Sequence, residues 1–152
     1  MEKIASFQVD HNKIDVGVYI SRIDGDIYTY DIRMVKPNSG EYPSPAALHS
    51  IEHLFATYAR NHMFGESVIY IGPMGCRTGF YLLTRNLSDE NALILIKDSM
   101  EYISKFEGEL PGNTAVECGN YQEHDLKSGK EAIVKLLEIL QNYTADMLSY
   151  PA

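Results

Sequence analysis

Val16-Gly17-Val18-Tyr19-Ile20-Ser21-Arg22-Ile23-Asp24-Gly25-Asp26-Ile27-Tyr28-Thr29-Tyr30-Asp31-Ile32-Arg33-Met34-Val35 reads as two strands folded back on each other. In the first half Val16, Val18, Ile20 and Arg22 alternate with Gly17, Tyr19, Ser21 and Ile23, the period-two pattern of a half-buried strand. Asp24-Gly25 is a two-residue hairpin signal, because such turns need residues that tolerate positive φ. The return run is rich in β-branched and aromatic side chains, which suit a pleated surface. Pro37-Asn38-Ser39-Gly40 ends it as a loop. A hairpin closed this tightly demands antiparallel pairing, which sets the expectation for the rest of the sheet.

Beyond the hairpin, Ser44 is the expected N-cap and Pro45 the first residue of a helix that runs to about His62, with Leu48, Ile51, Phe55 and Tyr58 on its buried face. Short strands are expected over Ser67 to Ile71 and Thr78 to Thr84, separated by the Gly72-Pro73-Met74-Gly75 turn. Ser88 caps a second helix, with Asp89 and Glu90 complementing its positive end and Ala92, Leu93, Ile96, Met100 and Ile103 inward. Gly108 and Pro111 stop it. A polar loop follows to Asp125, then a last helix from about Ser128 to Leu148 with Ile133, Leu136, Leu137 and Leu140 inward. Strands joined by short turns plus three helices predict an α+β fold: a mainly antiparallel sheet packed with helices in two layers, as a single domain over residues 1–152. The regular βαβ alternation of a parallel sheet is absent.

The chain has 152 residues, 45% hydrophobic and 22% charged, enough for a core without disulfide staples. Its formal net charge of −8, from 13 basic and 21 acidic side chains, argues against nucleic acid or an anionic membrane as a partner. No apolar run approaches the ~20 residues of a membrane span, and Met1 to His11 lacks the apolar core of a signal peptide. The expected location is the cytoplasm, where Cys76 and Cys118 are thiols or metal ligands rather than a disulfide.

Chemistry concentrates in His49-Ser50-Ile51-Glu52-His53. Positions i and i+4 of a helix lie on one face with Cβ atoms about 5–6 Å apart, a spacing at which two imidazoles bind one ion at bonds of about 2.0–2.1 Å. Glu52 stands beside the pair, where a proton-transfer group is useful. An open catalytic site needs a third protein ligand. Cys118, Cys76, His11, His62 and His124 are the candidates. Cys118 in Glu117-Cys118-Gly119-Asn120-Tyr121 has a glycine that lets the backbone fold closely around an ion. Cys76, presented after a turn at a strand start, suits a thiol tuned for acid–base work. Taken singly, either cysteine is an ordinary packing residue, Ser6, His11 and Arg33 are surface polar residues, and His62 simply ends its helix. Three other readings stand beside the catalytic one. One is an inverted-motif zinc peptidase with Glu52 as base. Another is a non-catalytic metal-binding module. The last is a closed structural zinc site, for which His124 or His11 would complete the shell.

Five blocks together are more specific than the histidine motif. His49-Ser50-Ile51-Glu52-His53, Gly72-Pro73-Met74-Gly75-Cys76-Arg77-Thr78-Gly79-Phe80-Tyr81, Glu117-Cys118-Gly119-Asn120-Tyr121-Gln122-Glu123-His124-Asp125-Leu126, Ser6-Phe7-Gln8-Val9-Asp10-His11-Asn12 and Asp31-Ile32-Arg33 resemble, in order and spacing, the S-ribosylhomocysteine lyase (LuxS) family of autoinducer-2 synthesis. The resemblance covers almost the whole chain. It implies an α+β homodimer with active sites at the subunit interface, cleaving S-ribosyl-L-homocysteine to L-homocysteine and 4,5-dihydroxypentane-2,3-dione. It implies one divalent metal per subunit, ferrous iron with zinc or cobalt able to substitute, held by His49, His53 and Cys118. Cys76 and Glu52 would be the acid–base pair. Ser6, His11 and Arg33 would reach the substrate, from the partner subunit. One departure stands out: the family usually carries an acidic residue six positions before the Cys76 equivalent and a serine two residues after that acid, where this chain has Tyr70 and Gly72.

Overall fold

A computed structural model describes Met1–Ala152. The hairpin forms: β1 (Gly17–Asp24) pairs antiparallel with β2 (Ile27–Arg33), from Gly17↔Arg33 to Asp24↔Ile27. The two turn residues are therefore Gly25-Asp26, one position later than expected, and Gly25 takes the left-handed conformation at φ 62°. A bulge between Ile20 and Arg22 shifts the register of β1. β3 (Val68–Pro73) and β4 (Gly79–Arg85) form a second hairpin, and β4 pairs with β2 to give one antiparallel sheet of order β1-β2-β4-β3. β3 runs two residues past the expected end at Ile71, because Pro73 lies on an edge strand where its missing N–H costs no ladder bond.

The two faces of this sheet differ. Val18, Tyr30, Ile32, Ile71, Phe80 and Leu82 point to the helices and are buried with them in one hydrophobic core. The other face carries Asp31 opposite Tyr81, and Arg33 opposite Gly79. A side chain at 79 would not fit, since a Cβ there would lie 1.9 Å from the Ile32 carbonyl oxygen. After a short first helix, α1 (Ala5–Gln8), come two long ones, α2 (Pro45–Asn61) and α3 (Asp89–Lys105). Ser44 caps α2 by accepting from the Ala47 N–H at 3.1 Å, and Ser88 caps α3 by accepting from Asn91 at 3.2 Å. α2 buries Leu48, Ile51, Leu54 and Phe55, and this face fixes the rotation that turns His49, Glu52 and His53 away from the core. Tyr58 is only half buried and stacks on Tyr102 at 4.5 Å.

The single long C-terminal helix expected from the sequence is a correction. The chain forms α4 (Leu126–Ala132) and α5 (Val134–Leu140), broken at Ile133, followed by a single 3₁₀ turn at Ala145–Met147. Ile133, Leu136 and Leu140 still enter the core. Asn142-Tyr143-Thr144 are poor helix formers, and Tyr143 is engaged elsewhere: its hydroxyl donates to the Val18 carbonyl and accepts from the Val18 N–H. The Ile20 N–H donates to the Leu148 carbonyl at 2.7 Å, so the last residues dock along β1.

Candidate metal centre

His49 and His53 project from one face of α2 with ring centroids 4.5 Å apart, set edge to face. The polar loop ending at Asp125 folds over them. His49 Nδ1 lies 2.7 Å from the Glu123 carbonyl oxygen and His53 Nδ1 lies 2.7 Å from that of Pro111. A carbonyl can only accept, so each Nδ1 carries the hydrogen and each Nε2 keeps its lone pair. Such a backbone contact is the usual way that a metal-binding imidazole is oriented.

Of the five candidates for the third ligand, the fold brings Cys118. Its Sγ is 3.5 Å from His49 Nε2, which is about the nitrogen–sulfur separation that bonds of ~2.05 and ~2.3 Å to one tetrahedral ion require. Ligand atoms of His49, His53 and Cys118 all lie within 4.8 Å of one another. Three convergent donors of this type suit an open metal site. His124 packs its ring on His49 at 4.0 Å and hydrogen-bonds Ser50 through Nδ1 at 3.1 Å. It supports the pair as a stacked floor. Gly112 makes the loop's approach possible: at φ 71° it passes so near His53 that a Cβ would stand 3.1 Å from Nδ1. Gly112→Ala is expected to displace the ring and weaken metal binding by roughly 10–100-fold, the usual cost of losing an orienting contact; competition with a chromogenic chelator measures it.

Glu52 and His49 line a cavity of about 420 Å³ whose far wall is Pro73 to Gly75 and Arg77, the turn that carries Cys76. That volume suits a small polar substrate. Cys76 is exposed at the turn, and Arg77 next to it takes a left-handed φ of 65°. Thr78 Oγ1 lies 3.1 Å from Cys76 Sγ, and Arg33 Nη1 lies 3.8 Å away. Burial pushes the thiol up, but the Thr78 side-chain and backbone hydrogen bonds and the Arg33 guanidinium outweigh it, so Cys76 titrates below the ordinary thiol range.

Arg33 corrects the surface reading. It is 3% exposed and forms a bidentate ion pair with Asp31, Nε to Oδ1 at 2.7 Å and Nη2 to Oδ2 at 2.9 Å. Its Nη1 donates to Thr78 Oγ1 at 2.6 Å. Removing one partner of such a buried pair costs about 3–5 kcal/mol, because the other charge is stranded. Asp31 and Thr78 carry no site role in the sequence reading, where they stand only as strand and motif residues. Asp31 was legible there, since opposite charges two apart on a strand share a face. Ser6 lies in α1 beside a separate hollow bordered by Tyr70 and Tyr81. His11 contacts the Val9 carbonyl through Nδ1 at 2.9 Å. Neither lines the cavity beside His49 in the single chain. His62 ends α2 and pairs with Asp98 at 2.7 Å. Tyr70, in place of the acid, folds its hydroxyl over Gly72, 2.3 Å from where a Cβ would stand. No helix is long and apolar enough to cross a membrane.

Comparison with known proteins shows the family to which the chain belongs. Residues 4–146 match the family model described as S-Ribosylhomocysteinase (LuxS). An S-ribosylhomocysteine lyase of Clostridium acetobutylicum is 44% identical over 157 aligned positions, spanning 99% of this chain and 99% of the relative. One from Desulfotalea psychrophila is 44% identical and covers 100% of both chains. One from Finegoldia magna is 44% identical and covers 99% of both.

Proposed function

The chain belongs to the S-ribosylhomocysteinase (LuxS) family, and on that premise we propose that it cleaves the thioether of S-ribosyl-L-homocysteine, releasing L-homocysteine and 4,5-dihydroxypentane-2,3-dione. The observation that carries this reading is the convergence of His49, His53 and Cys118, with both Nδ1 atoms turned to carbonyls, beside a cavity that His49, Glu52 and the residues flanking Cys76 line. Residues 1–152 act as one metalloenzyme domain. The donor set accepts ferrous iron, the metal assigned here, and zinc or cobalt in its place.

A divalent ion on the three donors supplies Lewis acidity toward the sugar oxygens, which acidifies the neighbouring C–H bonds. The protein's own part is proton traffic. Glu52, in the wall of the cavity, and Cys76, on the turn that borders it, take a proton from one sugar carbon and return it to the next. Two such transfers move the carbonyl from C1 to C3. Removal of the C4 proton then expels the sulfur from C5 as homocysteine thiolate, which a proton from the same pair neutralises, and the enol left across C4 and C5 ketonises, its hydroxyl proton replaced by one at C5, to give the dione. Atoms balance without water and without an oxidant or reductant. Arg33 and Thr78 favour the Cys76 thiolate, the form that the first abstraction needs. Incubating anaerobically purified protein with S-ribosylhomocysteine and scoring free thiol tests the activity; a metal-loaded chain that releases none overturns it. The peptidase alternative leaves Cys118 without a role.

The enzyme works as a homodimer in the cytoplasm, where both thiols stay reduced. Ser6 and His11 serve the substrate bound in the partner subunit, and Arg33 borders the reacting carbons from beside Cys76. Subunit exchange tests this arrangement. Ser6→Ala and Cys76→Ala chains, each nearly inactive alone, are expected to recover roughly a quarter of wild-type activity when mixed, because half the dimers are mixed and each has one intact site. Recovery of none places Ser6 in its own chain's site.

A further inference from the structure

The last turn of the chain reaches the acid–base cysteine through two charged residues. Tyr150 stacks its ring on Tyr19 with centroids 5.1 Å apart, and its hydroxyl donates to Asp31 Oδ2 at 2.6 Å. That oxygen also accepts from Arg33 Nη2, and Arg33 Nη1 is the nitrogen nearest Cys76 Sγ. Asp31 is 1% exposed, so its charge is balanced by these few partners rather than by water. The tail is held for this contact by the Ile20–Leu148 hydrogen bond, by burial of Leu148, and by the Tyr143 hydroxyl on Val18.

We infer that Tyr150 is a positioning residue for the lyase reaction: its hydroxyl shares the charge of Asp31 and so leaves Arg33 free to stabilise the charged form of Cys76. The inference rests on the reading of Cys76 as the proton-transfer group. The direction follows from the geometry. Without the hydroxyl, Asp31 concentrates its charge on Arg33 and on the space beyond it, the guanidinium stabilises the thiolate less, and the thiol binds its proton more tightly. The charged and titratable groups around this line are few. Arg33 and Tyr81 face Cys76, with Thr78 beside it as a hydrogen-bond partner. Arg33, Tyr19, Tyr81, Tyr143 and Tyr150 face Asp31. Burial first, and Asp31 next, keep the Tyr150 phenol protonated as a donor.

Tyr150→Phe keeps the ring that stacks on Tyr19 and removes only the donor. The test is the pH profile of Cys76 alkylation by iodoacetamide in metal-loaded protein, with the modified peptide identified by mass spectrometry. The midpoint is expected to rise by about half a pH unit, which lowers the alkylation rate below the midpoint about threefold. The kcat for homocysteine release is expected to fall by a similar factor with KM unchanged. Tyr150→Leu, which also lacks the donor, must reproduce the rise. An unchanged or lower midpoint in either variant overturns the inference, whatever happens to thermal stability. Alkylation does not depend on turnover, so a failure of Cys76 as the acid–base group shows separately, as residual activity in Cys76→Ala.

Discussion

Cys76→Ala is expected to abolish homocysteine release while leaving metal content, thermal midpoint and quaternary state unchanged. The thiol sits exposed on a turn and no core residue leans on it, so the fold loses little. Losing a positioned proton-transfer group costs about 10²–10⁴ in rate, and this one serves more than one transfer, which places the effect at the upper end. Thiol release followed with a chromogenic disulfide, alongside metal analysis of the same sample, separates the two quantities. Turnover within tenfold of wild type removes Cys76 from the mechanism. The alkylation midpoint of the unmodified enzyme should fall below the ~8.5 of a free cysteine, since the guanidinium and the Thr78 contacts favour the charged form.

The second large effect is at the ligands. Cys118→Ala leaves two imidazoles on α2 and no anionic donor, and metal content is expected to drop from one ion per chain to less than about a tenth after dialysis. The loss exceeds the roughly 10–100-fold that an orienting contact is worth. Turnover falls with it, but the fold should not. The ligand face of α2 is opposite the face that buries Leu48, Ile51, Leu54 and Phe55, and that packing needs no ion. Chelation of the wild type is therefore expected to stop activity reversibly with the far-ultraviolet circular dichroism intact. Unfolding on chelation would assign the ion to structure instead of chemistry.

The parts of this molecule that local patterns encode were legible before any coordinates. The antiparallel first hairpin, the serine caps at 44 and 88, and the His49–His53 spacing each depend on residues within a few positions of one another, and each appears, the hairpin with its turn one residue later and a bulge in β1. The choice of Cys118 over four rivals was not legible from spacing, because 65 residues of chain separate it from His53 and only the loop's path decides. The break at Ile133 escaped because the apolar period continues across it, and the early end of α5 escaped because Val18, the partner that engages Tyr143, is far away in sequence. Burial of Arg33 escaped for a related reason: the strand pattern placed it on the open face beside Asp31, while Thr78 and the tail that complete its cover come from two distant segments. Tyr150 gave no signal at all.

Tyr70 and Gly72 are sterically linked. The tyrosine ring rests where residue 72 would carry its side chain, so any side chain there displaces the ring. Tyr70 is more than half exposed, and a serine restored at 72 would evict the ring into solvent without disturbing the strand. A sequence lineage can therefore cross between the two states by either order of substitution, yet the intermediate that holds both a tyrosine and a side chain leaves an unanchored aromatic on the sheet face. Mutational scans of this pair should be read jointly, since the effect of each substitution depends on which residue already occupies the other position.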